Sequence, residues 1–442
     1  MATTMRSPQK VVMQVSRWVS DLDWRLLLLI LLPLSLLVFL CASSAITATT
    51  LNPLHYFVPL KSLIYTTTTP ATGTVSPPGS THRVNETERT SWKDELDRSR
   101  IAVCLVGGAR RFELTGPSIL QKILKVYPNS DLFLHSPLDS SAYKFSLLRA
   151  APRIASVRIF RPQPIPETES QVRVLTARNS PNGVQGLLQY FNLVEGCLTM
   201  IKAYEQQNNF TYDWIVRTRV DSYWSAPLGP DNFIPGHYVV PSGSSYGGLN
   251  DRLGVGDTNT SIVALSRLSL VPQLDFSGFR ELNSETAFKA QLTTHRVPYV
   301  TTRLPFCIVT DRKYGFPPGR YGVPVAALSS PGPLSGAKCR PCTPVCSGPC
   351  VEKVMSGLDR GWSWIDWAKG SLQLCDAHAN WENGWEKIFD RAAGKKLTAV
   401  RKRVQGLKLK QCVSVFEDIR RLTGVWDAPP ASEICRLGLG SK

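Results

Sequence analysis

Acidic side chains are scarce in this chain, and the usual companions of a basic surplus are missing with them. Lys and Arg number 51 against 34 Asp and Glu, a formal net charge of +17 over 442 residues. Such a surplus favours anionic partners: nucleic acid, membrane headgroups or phosphate-bearing small molecules. Yet the sequence has no zinc-finger framework, no aromatic RNA-binding signature and no basic zipper, which sets nucleic acid aside. It also lacks an internal repeat, so a solenoid or propeller is excluded. Charge of either sign is absent between Arg25 and Lys61.

That uncharged gap determines the compartment. Leu26 to Ile46, within "RLLLLILLPLSLLVFLCASSAIT", would span roughly 30 Å as a helix at about 1.5 Å per residue. Arg6, Lys10, Arg17 and Arg25 precede it, opposed only by Asp21 and Asp23. The positive-inside rule leaves residues 1–25 in the cytosol and sends the body into the lumen. The alternative is a cleaved signal peptide, since "CASSA" ends the apolar core in small residues; the long segment before that core argues against it. Either way the body is secretory. Asn85, Asn209 and Asn259 head glycosylation sequons, and ten of the eleven cysteines follow Cys41 of the anchor, an even number suited to an oxidising lumen.

Residues 47–98 are rich in Thr, Ser and Pro and read as an exposed stalk. Folded structure is expected from 99 to 325. "RIAVCLVGGARRF" opens with a continuous apolar run closed by Gly107-Gly108, the mark of a strand buried on both faces of a parallel sheet. "SILQKILKVY" has helical spacing; "DLFLHS" and "SVRIFRP" are strand-like; "GVQGLLQYFNLVEGCLTMIKAYEQQ" is a long amphipathic helix. The strand Asp213 to Val220 follows, then "HYVVPSG" and "TSIVALS" as further strands and "ELNSETAFKAQLTTH" as a helix. Alternation of this kind predicts an α/β sandwich. From 326 to 442 the composition turns Cys- and Trp-rich. Five of the eleven tryptophans (Trp362, Trp364, Trp367, Trp381 and Trp385) fall within a stretch of 24 residues there, and a basic amphipathic helix or pair of helices carries Leu397, Val400, Val404 and Leu407. This predicts a smaller, mainly α-helical unit.

Candidate sites sit at strand ends, where open α/β sheets bind ligands. In "YDWIVRTRVDSYW", Arg217, Arg219 and Asp221 alternate and so share one face of a strand. Their charge is explained either by an internal Arg–Asp pair or by a phosphate-bearing ligand, with Asp221 holding a divalent cation or sugar hydroxyls. In "GGARR", Gly107 and Gly108 permit close backbone approach, and Arg110 and Arg111 suit a diphosphate. The alternative is an ordinary turn with solvated arginines. Cys339, Cys342, Cys346 and Cys350 have spacing open to zinc but, in an oxidising lumen, are expected in disulfides of unspecified pairing. His295 and His378 are isolated candidates for metal ligation, and the tryptophans serve as core or as sugar-stacking platforms.

The strand-loop "VCLVGGARRF" followed by "YDWIVRTRVDSYW" resembles luminal and bacterial glycosyltransferases of the nucleotide-sugar-binding GT-A type. In that group a "YD-(apolar)-RxRxD" phrase stands where better-known members carry Asp-x-Asp. "GGLNDRLGVGDTNTS" and "LNSETAFKAQL" resemble its acceptor-side segments. The whole chain, including "CRPCTPVCSGPC" and "WENGWEKIFD", is also similar to a plant family of single-anchor membrane proteins. The resemblance implies that Asp221 matches the last Asp of the motif, with Arg219 where the first would be. It implies manganese or magnesium as cofactor, or no metal, with arginine replacing part of the cation's charge. It places Asp251, with Arg252, on the acceptor side and makes Glu285 the general base; the bland reading of Glu285 is a helix-surface carboxylate in a first turn.

The expected fold is therefore a mixed α/β, GT-A-like (Rossmann-like) sheet sandwich with a smaller C-terminal unit, behind one transmembrane helix. The expected function is that of a type II Golgi-membrane glycosyltransferase. Its partners are a nucleotide sugar, a glycan acceptor and the bilayer, and its rival is a non-catalytic glycan-binding or scaffold protein of the same fold.

Overall fold

Strand β1 (Ile101–Val106) is buried along its whole length and sends alternate side chains to two different cores. Ile101, Val103 and Leu105 enter one cluster, and Ala102, Cys104 and Val106 the other. A strand apolar on both faces needs a cover on each side, and the computed structural model of the chain supplies both. It describes residues 86–178, 180, 182–319, 322–358 and 371–440. The anchor expected at 26–46 and the sequon at Asn85 lie outside these residues. Among those described, no helix is long and apolar enough to cross a membrane.

β1 lies between β2 (Ser130–Pro137) and β4 (Trp214–Arg219), parallel to both, and β3 (Ile154–Phe160) pairs in parallel beyond β2. On the other side β7 (Leu253–Asp257) runs antiparallel to β4, followed by β6 (Tyr238–Pro241) and β8 (Tyr299–Thr302). With β14 (Thr423–Asp427) beside β3, the order is β14-β3-β2-β1-β4-β7-β6-β8. The chain steps outward from β1 to β3 and returns to β4 on the opposite side of β1. This reversal opens a crevice beyond the carboxyl ends of β1 and β4.

One face of the sheet is covered by helix α1 (Gly183–Asn208), through Val194, Cys197, Leu198 and Ile201. Cys104 and Cys197 bond covalently across that contact. The other face packs against helix α2 (Phe112–Ile119) and residues from helices α3 (Trp385–Gln405) and α4 (Leu409–Leu422), among them Val404, Cys412, Phe416 and Ile419. The basic C-terminal stretch is thus a pair of helices. The C-terminal unit also lends the main sheet a strand, β14.

A second sheet runs in the order β12 (Cys346–Ser347), β13 (Gln373–Leu374), β10 (Ala326–Ala327), β11 (Ala337–Arg340), β9 (Phe306–Val309) and β5 (Ser222–Trp224). Since β5 follows β4 after only Val220 and Asp221, those two residues form the seam between the sheets.

Two segments differ from expectation. "TSIVALS" is a helix, α5 (Thr258–Leu265), despite its β-branched residues, because Asp257 caps it by accepting the Thr260 N–H at 2.9 Å. The strand of that region is the preceding β7, where glycines let the chain pass Tyr238: a Cβ on Gly254 would stand 2.0 Å from its hydroxyl. The last part of the segment read as stalk is a helix, Glu86–Arg98, whose Leu96 is fully buried and whose Trp92 Nε1 donates to the Pro230 carbonyl at 3.1 Å.

All ten cysteines after Cys41 form disulfides: Cys104–Cys197, Cys307–Cys339, Cys342–Cys375, Cys346–Cys350 and Cys412–Cys435. The expectation for Cys339, Cys342, Cys346 and Cys350 holds, and the pairing spreads them over three different bridges.

Candidate functional site

The four side chains proposed from two separate motifs meet in one cleft. Arg110 and Arg111, just beyond β1, face Arg219 and Asp221, at the end of β4, across a cavity of about 110 Å³. The cavity is completed by Ile308 to Arg312 and Lys338 from the second sheet. The register explains the meeting: Val106 stands opposite Arg219, so the loops leaving both strands begin at the same level.

Gly107 and Gly108 form the turn that leaves β1. Gly107 has φ +118°, a conformation L side chains rarely adopt, and a Cβ on Gly108 would come within 2.7 Å of the Asp139 carboxylate. Arg111 is held on three sides. Its Nε donates to Asp311 Oδ1 at 2.8 Å, and its guanidinium lies 4.1 Å from the Trp381 ring centre and 5.3 Å from that of Trp385. Two members of the tryptophan cluster therefore brace a wall of the cleft; Trp362, Trp364 and Trp367 lie outside the described residues.

Arg219 grips Asp221 with both prongs, Nε to Oδ1 at 2.9 Å and Nη2 to Oδ2 at 2.7 Å. Burial opposes ionisation of Asp221, but this guanidinium, with Lys338 and Arg110 farther off, holds its pKa below the usual carboxylate range. Arg217 shares the face of Arg219, as alternation requires, yet it does not line the cleft. It is buried behind it, where Nη1 donates to the Tyr190 hydroxyl at 3.2 Å and to the Asp251 carbonyl.

Asp251 and Arg252 are likewise buried beneath the cleft and not open to it. The Asp251 carboxylate accepts a hydrogen bond from Ser284 Oγ, while Arg267 and Arg217 outweigh burial and keep its pKa low. Arg252 donates to the Gly336 carbonyl at 2.5 Å and to the Tyr246 hydroxyl at 3.2 Å. Together these contacts seat the amino end of helix α6 (Ser284–Thr294), whose N-cap is Asn283. The seat is tight, for a Cβ on Gly248 would collide with the Glu285 carbonyl at 2.0 Å.

Glu285 occupies the first turn of that helix, half-buried rather than solvated. Burial, then the charge of Asp251, push its pKa up to about 8, against the pull of Arg252 and Lys338. Glu285 is not among the residues that line the cleft, but its partial burial sets it apart from a solvated helix-surface acid.

Lys338, Thr310, Asp311 and Arg312 complete the cleft and were not singled out from the sequence. Lys338 alternates with Ala337 and Cys339 on β11, and the run "FCIVTDRK" repeats the apolar-strand-then-charge form of "VCLVGGARR". Burial first, then Arg252, Arg219 and Arg312, hold the Lys338 ammonium far below the ordinary lysine pKa. Among the described residues no group of three or more His, Cys, Asp or Glu stands ready to hold a metal ion. His378 bonds Asp376 through Nδ1 at 2.5 Å, and both side chains are exposed.

Asn209 and Asn259 are exposed at the other end of the sheet, since Trp214 pairs with Asp257 where β4 begins and β7 ends. Glycans there would leave the cleft clear.

No curated protein matches the chain. A family model described as "Domain of unknown function (DUF7796)" matches residues 96–441, from the end of the first described helix through the whole of both sheets and the C-terminal helices. That match covers well over half of the sequence, and the chain belongs to the DUF7796 family.

Proposed function

We propose that the protein is a type II membrane glycosyltransferase of GT-A-like fold, moving a sugar from a nucleotide donor to a luminal acceptor. The observation that carries this reading is the meeting of Arg110, Arg111, Arg219, Arg312 and Lys338 in one cleft at the sheet's reversal point, with Glu285 nearby. In an open α/β sheet this crevice is where a nucleotide is expected. Guanidinium groups suit a diphosphate geometrically and electrostatically.

In the transfer, an acceptor hydroxyl oxygen attacks the anomeric carbon while the bond from that carbon to the donor phosphate breaks. The electron pair leaves with the diphosphate, whose added charge the basic cleft stabilises. Glu285 receives the hydroxyl proton; its raised pKa makes it a stronger base than an ordinary carboxylate once ionised. Asp251 holds the helix end that carries Glu285. The five disulfides and the exposed sequons suit a luminal body, and the apolar run at 26–46 suits its anchor.

A second reading, a non-catalytic binder of the same fold, is favoured by one contact: both oxygens of Asp221 are already occupied by Arg219. Thermal stabilisation of the purified full-length protein by a panel of nucleotide sugars tests the choice. Stabilisation by one nucleotide sugar supports the transferase. Stabilisation by glycans alone favours the binder, and indifference to both overturns the proposal.

A further inference from the structure

We propose that the cleft holds a diphosphate group without a divalent cation, with Lys338 as its central contact. The inference rests on the reading of this cleft as the donor site, and it goes further by assigning the counter-charge.

The charges lining the cleft do not balance. Arg110, Arg111, Arg219 and Arg312 face Asp221 and Asp311, so four positive charges against two negative leave +2, and Lys338 adds a third where a bound anion lets it hold its proton. Both carboxylates are already engaged. Asp221 is gripped through both oxygens by Arg219, and Asp311 accepts from Arg111, which the two tryptophans hold in place. Arg110, Arg312 and Lys338 remain without an ion-pair partner among the described residues. Magnesium is bound through one or two free carboxylates plus substrate phosphates. A cation entering here would have to displace Arg219 from Asp221 and then stand among the remaining positive charges. An anion meets neither obstacle, and a group bearing three or more negative charges satisfies the whole surplus.

Lys338 is the member best placed to receive it. On β11 it stands opposite Ile308 of β9, and Ile308 on its other side pairs with Ser222, the residue after Asp221. The amine therefore lies two strands from the Arg219–Asp221 pair, beside the loop that carries Asp311 and Arg312. Arg219, Arg252 and Arg312 repel its proton, and Asp221, clamped by Arg219, attracts it. A lysine so surrounded lacks a counter-charge, which a bound diphosphate would provide. Its compact ammonium acts as a point charge, whereas Arg110 and Arg312, both exposed, reach in from the rim.

Calorimetric titration of the full-length protein with inorganic pyrophosphate, in chelator and then with manganese or magnesium at matched free ligand, tests the assignment. Equal affinity with and without metal is expected, with Lys338→Met weakening binding about tenfold or more and Lys338→Arg recovering most of it. Melting temperature is followed in parallel. Should Lys338→Met fail to fold, Arg312→Met and Arg110→Met, on exposed side chains, are each expected to weaken binding several-fold. Binding that requires the metal, a folded Lys338→Met that binds as wild type, or no pyrophosphate binding at all would each overturn the inference. Pyrophosphate binding in chelator with no response to any nucleotide sugar would remove the transferase reading and leave this one standing. Nucleotide-sugar binding that depends on manganese would do the reverse.

Discussion

Replacing Glu285 by Gln should change how stability depends on pH, and the size of the effect follows from its surroundings. Burial and the neighbouring Asp251 raise its folded pKa to about 8 from an ordinary 4.5. A raised pKa means that the folded state binds the proton more tightly. The resulting stability is complete below the unfolded value and is lost as pH rises through the folded one. Between those limits one extra proton is bound in the folded state, so stability falls by about 1.4 kcal/mol per pH unit. From pH 5.5 to 7.5 wild type should therefore lose up to about 2.7 kcal/mol through this group, whereas Glu285→Gln has nothing to lose. At about 2.1 cal/mol/K of unfolding entropy per residue, a body of this size shifts by roughly 1.4 °C per kcal/mol. The two melting curves should thus diverge by about 4 °C across that window, with wild type falling relative to the variant. Titrating groups that do not face Glu285, among them His135, whose pKa burial lowers, are common to both proteins and cancel. Parallel curves would refute the placement of Glu285 beside Asp251 and, with it, its suitability as a base.

Asp221→Asn should leave Arg219 without its counter-charge; since both side chains keep some solvent contact, 28% and 19%, the loss is expected to be about 1–3 kcal/mol rather than the 3–5 of a fully buried pair. The fold should survive and donor-dependent activity should fall, and full activity would show the pair to be structural only. Thiol titration after denaturation should find at most one free cysteine per chain, Cys41, and two or more would contradict the pairing. Reduction should lower the melting temperature markedly, as each native bridge in a secreted unit contributes about 2–5 kcal/mol.

What could be read from the sequence was what depends on short-range periodicity. The unbroken apolar run of β1 announced a doubly covered strand, and the alternation in "VRTRVD" put Arg217 and Arg219 on one face. Tyr190 of α1 confirms that face, lying against both arginines. Periodicity says nothing about depth. Arg217 and Arg219 look alike in sequence, yet only the second reaches the cleft, because the crevice begins where β4 ends. Asp251 read as a lining residue and is a support behind the wall, since Ser284 and two arginines claim it. Lys338 was invisible for a different reason: 117 residues separate it from Asp221, and only the pairing of β5, β9 and β11 brings them together. Capping decided the helix at Thr258–Leu265, where β-branched residues pointed the other way and the carboxylate of Asp257 prevailed.

The position of β14 bears on the order in which the molecule can be made. The final strand of the chain seals the flank of β3, and Cys412–Cys435 ties together the helices on either side of it. During synthesis, every other strand of the main sheet is available long before residues 423–427 emerge. Until they do, β3 presents a row of unpaired backbone groups, a surface on which nascent chains can pair with one another. Completion of the main sheet thus waits for residues 423–427. A stop codon after Leu422 would spare every residue of the cleft and still leave this flank open, so the truncated product should aggregate more readily than the full chain.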